Sequence, residues 1–270
     1  MVLQKLPERQ ANSHKGTYGT AALVCGSYSL AGAAVLSAKA AYRTGVGIVR
    51  CIVPKSIYPI VAAAVSEAVF SPYIKFSTKA LENSSACLVG CGCSNTKATK
   101  NTVTKILKNY KKPIVIDADG INAISSNIKI IKQFSENAVI TPHPKEASRV
   151  LNVSVNEIQQ NREKYAILLA QMSGAVCLLK GANTLISTPR GEVYLLPVDN
   201  SGLATAGSGD VLSGIIVALL CQGLTPIDAA VCGAYLHASA GEIAAKKLSQ
   251  TSMCATDIIN SLPELFLKFG

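Results

Sequence analysis

The stretch Asn200–Gly223 joins a loop of small residues, a carboxylate and an apolar helix. Its centre, Ala206-Gly207-Ser208-Gly209-Asp210, has little side chain to screen the main chain, so the N–H groups can approach a ligand. Immediately afterwards Val211, Leu212, Ile215, Ile216, Leu219 and Leu220 recur at helical spacing, and Gly223 supplies a C-terminal stop. A helix apolar on nearly every side belongs inside a layered domain. Free N–H groups at the positive end of such a helix bind an anion, most often a phosphate. Asp210 would repel that anion at rest. It fits the place if it takes the proton from a hydroxyl attacking phosphorus, while the amides stabilise the transferred group. Alternatively, Asp210 only caps the helix and complements its dipole. The G-x-G-D spacing alone leaves both readings open.

The loop needs a scaffold, and the chain supplies alternating strands and helices for it. Strands are predicted at Thr20–Cys25, Ile48–Val53, Ala86–Gly90, Ile114–Asp117, Ala138–Thr141 and Val176–Lys180, with Thr184–Ser187 and Val193–Leu196 as a hairpin around Pro189-Arg190-Gly191. Helices are predicted at Leu30–Arg43, Ile57–Ala64, Thr96–Asn109, Pro144–Leu151, Val155–Ser173, Ser208–Gln222 and Pro226–Leu248. The alternation implies a single doubly wound α/β domain over residues 1–270, with a mostly parallel sheet and ligands at the C-terminal ends of its strands. Six polar features fall at those ends or open helices: Gly26-Ser27, Gly90–Gly92, Asp117–Asn122, His143–Glu146, Lys180–Thr184 and Ala206–Asp210. Their segregation on one rim points to a cleft for two ligands.

Composition narrows the partners. Net charge is +10, with 49% hydrophobic and 5% aromatic residues. The lysines are scattered (Lys97, Lys100, Lys105, Lys108) and no aromatic residues interleave with them, so a nucleic-acid surface is not expected and a small polyanionic ligand is. No apolar run approaches the ~20 residues of a membrane span, and Met1–Gly16 has no secretory pattern, so a cytoplasmic protein is expected. The nine cysteines are irregularly spaced. Cys87, Cys91 and Cys93 lack a second pair at zinc-site spacing, and the cysteines read as small core hydrophobes.

Several of these motifs carry a resemblance over nearly the whole chain. Ser13–Thr20, Gly26–Arg43, Asp117–Asn122, Thr141-Pro142-His143-Pro144-Lys145-Glu146, Lys180–Thr184, Asn200-Ser201-Gly202-Leu203-Ala204 and Tyr235-Leu236-His237 resemble the ADP-dependent NAD(P)H-hydrate dehydratases of the ribokinase-like (carbohydrate-kinase-like) superfamily. The G-x-G-D loop marks the whole superfamily, whereas the segments Thr141–Glu146 and Asn200–Ala204 are more specific. The resemblance implies a ribokinase-like fold and a metabolite-repair lyase. Such an enzyme uses ADP to phosphorylate the hydroxyl of the S-epimer of NADH or NADPH hydrate, then eliminates phosphate, giving NAD(P)H, AMP and phosphate. It implies Asp210 as catalytic base and hydrate contact. Ala33, Gly92 and His143 would join it at the hydrate, and Lys180, Gly181, Ala182, Asn183, Thr184 and Gly209 would hold the nucleotide. Gly207, Ser208 and Gly209 would form the anion hole, and Glu146 would reach Mg²⁺ through water. Lys180 would add a point charge for the phosphates, so Lys180→Ala is expected to weaken nucleotide binding with little loss of fold.

Bland roles remain beside these: helix packing for Ala33, a turn for Gly92, a satisfied loop histidine for His143 and a solvated strand end for Lys180. The resemblance also implies a homo-oligomer (a tetramer) and a functional link to a separate NAD(P)H-hydrate epimerase, while composition leads us to expect no nucleic-acid or membrane partner. Two other classes stay open: a kinase of the same fold acting on a hydroxyethylthiazole or hydroxymethylpyrimidine, and a non-catalytic nucleotide-binding protein. The family usually carries glycine at the position of Ala206. If that position needs positive φ, Ala206 would be strained by roughly 1 kcal/mol.

Overall fold

Strand β1 (Thr20–Val24) lies third from one edge of a nine-stranded sheet, and the chain winds away from it in both directions. The computed structural model describes residues 6–134 and 137–268. On one side of β1 come β2 (Ile48–Cys51) and β3 (Val69–Phe70); on the other come β4 (Ala86–Val89), β5 (Ile114–Ile116), β6 (Ala138–Ile140) and β7 (Val176–Leu179). These seven are parallel, and β8 (Thr184–Ser187) and β9 (Val193–Leu196) close the far edge as an antiparallel hairpin. The winding reverses between β1 and β4, the place where open α/β sheets bind ligands.

Side chains alternate across the sheet and feed two core layers. Ala21, Leu23, Leu88, Val115 and Val139 pack with α1 (Ala31–Arg43), α8 (Ser208–Cys221), α9 (Pro226–Leu248) and α10 (Ala255–Leu267). Ala22, Val24, Val89, Ile116 and Ile140 pack on the other face with α3 (Lys97–Asn109), α4 (Asp119–Ile124), α5 (Pro144–Leu151), α6 (Val155–Gln160) and α7 (Arg162–Ser173). Helix α2 (Tyr58–Ala64) joins the first layer through Val61. Each fully buried Ile or Leu stabilises the fold by about 1.5–3 kcal/mol, so this two-sided core can carry less favourable polar groups at its rim. Lys97, Lys100, Lys105 and Lys108 lie on the exposed face of α3, opposite buried Val103, Ile106 and Leu107.

Most predicted elements appear within a residue or two of their expected bounds. The helix expected over Val155–Ser173 is two helices, broken at Asn161, where φ −134° and ψ 46° leave the helical region. Among the strands and α-helices of the described residues, three were not anticipated. Strand β3 has only two residues, α4 begins inside the polar Asp117–Asn122 stretch, and α10 contains Pro263, which reads as a helix breaker. Among the described residues no helix is long and apolar enough to cross a membrane.

Candidate active site

Helix α8 starts from Gly207, which has φ 87° and ψ −10° and gives the helix no side-chain cap. Any Cβ there would be strained and would also meet Leu36 Cδ1 at 2.4 Å. Ala206, by contrast, is not among the residues with positive φ, so the strain considered for it does not arise. The Ser208 N–H donates to Thr205 O at 3.3 Å and the Val211 N–H to Gly207 O at 3.1 Å. The N–H groups of Gly207, Gly209 and Asp210 meet no acceptor among the described residues. The free main-chain donors of the loop are therefore these three, and the Ser208 amide is already used, unlike the Gly207-Ser208-Gly209 set expected from the sequence. His237 of α9 secures Ser208, with Nε2 3.0 Å from Ser208 O and 3.1 Å from its Oγ. A carbonyl can only accept, so Nε2 carries the proton; burial pushes the imidazole down to about 4 and keeps it neutral.

Asp210 lies in the first turn of α8, on the wall of a cleft of about 660 Å³. It makes no cap. Its carboxylate stands with the Cys91 thiol and the Asp117 carboxylate, all within 4.8 Å of one another. Burial raises the Asp210 carboxyl to about 6, and the neighbouring Asp117 adds to the rise. The helix dipole would favour the anion, but removal from water outweighs it. A carboxylate with that value is ionised at neutral pH and basic enough to accept a proton in a transition state.

Asp117 directly follows β5, is buried, and accepts hydrogen bonds from Lys180 Nζ at 2.7 Å and Ser213 Oγ at 2.8 Å. Burial alone would raise its carboxyl, but the Lys180 ammonium and these hydrogen bonds hold it below the ordinary value. Burial would likewise depress Lys180, and Asp117 and Glu146 keep it above its ordinary value instead. Lys180 is thus part of a buried ion pair and not a solvated strand end. The expectation that Lys180→Ala leaves the fold nearly untouched is corrected: it would strand Asp117 uncompensated in the interior, a change that typically costs about 3–5 kcal/mol.

His143 caps α5 in a reciprocal arrangement. Its Nδ1 accepts from the N–H groups of Lys145 (3.0 Å) and Glu146 (3.3 Å), and its own N–H donates to Glu146 Oε2 at 2.9 Å. The proton therefore sits on Nε2, 3.2 Å from Glu146 Oε1. Burial, then the charge of Lys180, lowers this imidazole below its ordinary value, so it is a fixed neutral donor on the cleft wall. Glu146 is buried behind it, and that burial raises its carboxyl to about 7.

The segment after β7 is shaped from below by Arg162, at the start of α7. One guanidinium nitrogen donates to the carbonyls of Leu179, Lys180 and Asn183 at 3.2–3.4 Å, and a Cβ at Gly181 would meet that guanidinium at 2.8 Å. Lys180, Gly181, Ala182 and Thr184 line the cleft, together with His143, Glu146, Gly207, Ser208, Gly209 and Asp210. Asn183 does not; it takes a left-handed turn at φ 57°. Ala33 and Gly92 also stand outside the lining. They pack on one another (a Cβ at Gly92 would be 2.6 Å from that of Ala33), one residue beyond Cys91.

From the sequence, Asp117 stood on the rim only as part of Asp117–Asn122, Cys91 as a small core hydrophobe and His237 within a family segment, while Ser213 and Arg162 had no place; none of the five had a role in the site. Asp117 could have been found, since it ends an apolar strand and opens a polar turn. Ser213 and Arg162 carried no signal, because a serine inside an apolar helix and an arginine on a polar helix face are ordinary.

A mostly parallel sheet covered on both faces, with a glycine-started helix presenting free amides and a carboxylate at its C-terminal rim, defines the ribokinase-like class of α/β proteins. Within that class the chain belongs to the NAD(P)H-hydrate dehydratase family, whose pattern it matches over residues 21–264. The match sets aside the hydroxyethylthiazole-kinase alternative. The ADP-dependent (S)-NAD(P)H-hydrate dehydratase of Bacillus subtilis is 33% identical over 271 residues, covering 99% of this chain and 96% of that protein. The bifunctional NAD(P)H-hydrate repair enzyme Nnr of Moorella thermoacetica is 40% identical over 271 residues, covering 96% of this chain and 51% of that enzyme. This chain spans about half the length of such bifunctional relatives. A crystal structure of the B. subtilis ADP/ATP-dependent NAD(P)H-hydrate dehydratase, co-crystallized with ATP/Mg²⁺, superposes with a TM-score of 0.86 at 30% identity, covering 100% of this chain and 96% of that one.

Proposed function

We propose that this chain dehydrates the S-epimer of NADH or NADPH hydrate, with ADP as phosphoryl donor. The observation that carries the reading is Asp210: an ionisable carboxylate, not used as a cap, beside three main-chain donors without acceptors. The hydrate hydroxyl gives its proton to Asp210 as its oxygen attacks the terminal phosphorus of ADP, and the bond to AMP breaks. The N–H groups of Gly207, Gly209 and Asp210 take the charge developing on the transferred group, with the Lys180 ammonium alongside. Hydroxide is a poor leaving group and phosphate a good one. The ring carbon–oxygen bond then breaks, the proton on the adjacent carbon is lost, and the double bond returns. Segment Lys180–Thr184, outlined by Arg162, follows the nucleotide, and neutral His143 shares its single Nε2–H between Glu146 Oε1 and the hydrate. Ala33 and Gly92 continue the hydrate surface past Cys91.

The residues present fit a hydrated Mg²⁺. Glu146 lines the cleft with Oε2 held by the His143 N–H, and a lone pair of its hard Oε1 would reach the ion through water. Cys91, Asp117 and Asp210 do not form that site: the thiol is soft, and Asp117 is already committed to Lys180 and Ser213. Bound there, the ion would neutralise phosphate charge. We also read the protein as a cytoplasmic homo-oligomer working beside an epimerase activity, a link supported by the bifunctional names of its relatives.

The donor is tested by initial rates with each nucleotide on freshly prepared NADH hydrate. ADP is expected to support dehydration much better than ATP. A clear preference for ATP would refute the choice of donor.

A further inference from the structure

Asp117 touches nothing that reacts in this scheme, yet it is the most constrained polar group of the site. The residue is 1% exposed, and its carboxylate meets Lys180, Ser213 and, at 3.6 Å, the Cys91 thiol. The next residue, Ala118, has φ 47° and ψ −117°, a conformation suited to glycine. The Gly120 N–H closes this turn on Asp117 O at 2.8 Å, and a Cβ at Gly90 would fall 2.0 Å from the same carbonyl. Backbone strain of this kind persists only where the surroundings fix it, and it clusters at working sites. A buried ion pair is in itself weak support for stability.

The two arms of the carboxylate lead to the reaction. One holds the Lys180 ammonium where a Cβ at Gly209 would lie 3.4 Å from Nζ. The other holds Ser213, three residues after Asp210 and so on the same side of α8.

We infer that Asp117 is a positioning residue: it fixes the Lys180 cation at the Gly209 end of the anion loop and ties that cation to α8 through Ser213. Cation, free amides and base then keep one geometry during turnover. Without Asp117, Lys180 is a flexible chain whose remaining carboxylate neighbours are Glu146 and Asp210, and Asp210 must stay unpaired to work. The inference rests on the dehydratase reading of the site.

A double-mutant cycle tests it, using Asp117→Asn, Lys180→Met and the pair, with kcat, the KM for ADP, and ADP affinity by calorimetry. Asp117→Asn should lower kcat on the order of 10²-fold, the loss that follows from a misplaced group, with a smaller change in KM. The double variant should be no slower than Lys180→Met alone, because an anchor has no effect once its cation is gone. Losses that multiply in the double variant, or a folded Asp117→Asn protein with wild-type kcat, would overturn the inference. Should Asp117→Asn not fold, Ser213→Ala decides: roughly tenfold lower kcat supports the role, and unchanged kcat refutes it. A wild-type protein that binds ADP but never restores NADH would sink the dehydratase reading instead. The cycle on ADP affinity would then still judge the anchoring of Lys180.

Discussion

At the scale of single residues, the account turns on whether Asp210 is a base or a cap, and the two roles have opposite stability signs. Burial and Asp117 raise its carboxyl from 3.8 to about 6, so the fold favours the neutral form. Its stabilising contribution is complete below pH ~4 and is lost as pH rises through about 6, leaving an ionised group that costs roughly 1–3 kcal/mol at pH 8. Asp210→Asn should therefore raise the Tm at pH 8, with the gain fading toward pH 4. Turnover should fall 10²–10⁴-fold, as expected for loss of a general base. In the wild type, turnover should decline as pH drops through about 6. Calorimetric melting of both proteins across that range checks the sign, and a Tm that falls on substitution would identify a cap. The sequence had Asp210, His143 and Glu146 in view because their neighbours are distinctive. It could not show that the free amides are those of Gly207, Gly209 and Asp210, since that depends on Thr205 O capturing the Ser208 N–H.

Among the elements, the segment after β7 depends on a helix boundary that periodicity concealed. Val155–Ser173 reads as one amphipathic run, but the break at Asn161 turns Arg162 toward the carbonyls of Leu179, Lys180 and Asn183. The other terminal nitrogen of the guanidinium donates to Gln159 Oε1 at 2.9 Å and fixes the fork, a second anchor that lysine lacks. Arg162→Lys should weaken ADP binding roughly tenfold, the scale of one lost charged hydrogen bond, while the overall fold persists. Calorimetric titration with ADP checks this, and unchanged affinity would show that the segment holds its shape unaided. Long elements such as Pro226–Leu248 were legible to the residue, with Thr225 as the N-cap and Pro226 in the first turn. Short or disguised ones, β3 and α10, were not, because two residues show no period and Pro263 argues against a helix that packing nonetheless holds.

Over the whole molecule, the sheet order brings together residues that are remote in sequence. Asp117, Lys180 and Ser213 span nearly a hundred positions and meet only because β5 and β7 are separated by one strand and α8 packs across the same face. The class of fold was legible from alternation, and the rim from the run of polar features at strand ends. The ion pair at its centre was not, because the partners are set by strand order and sequence spacing does not encode it. The basic balance of the chain, spread over exposed helix faces, suits small anionic substrates. The central claim is a complete dehydration driven by phosphoryl transfer, and product balance tests it most directly. Purified protein is incubated with NADH hydrate, ADP and Mg²⁺, and NADH, AMP and phosphate are quantified together. The account predicts that all three appear in equal amounts; a phosphorylated hydrate accumulating with AMP while no NADH returns would contradict it.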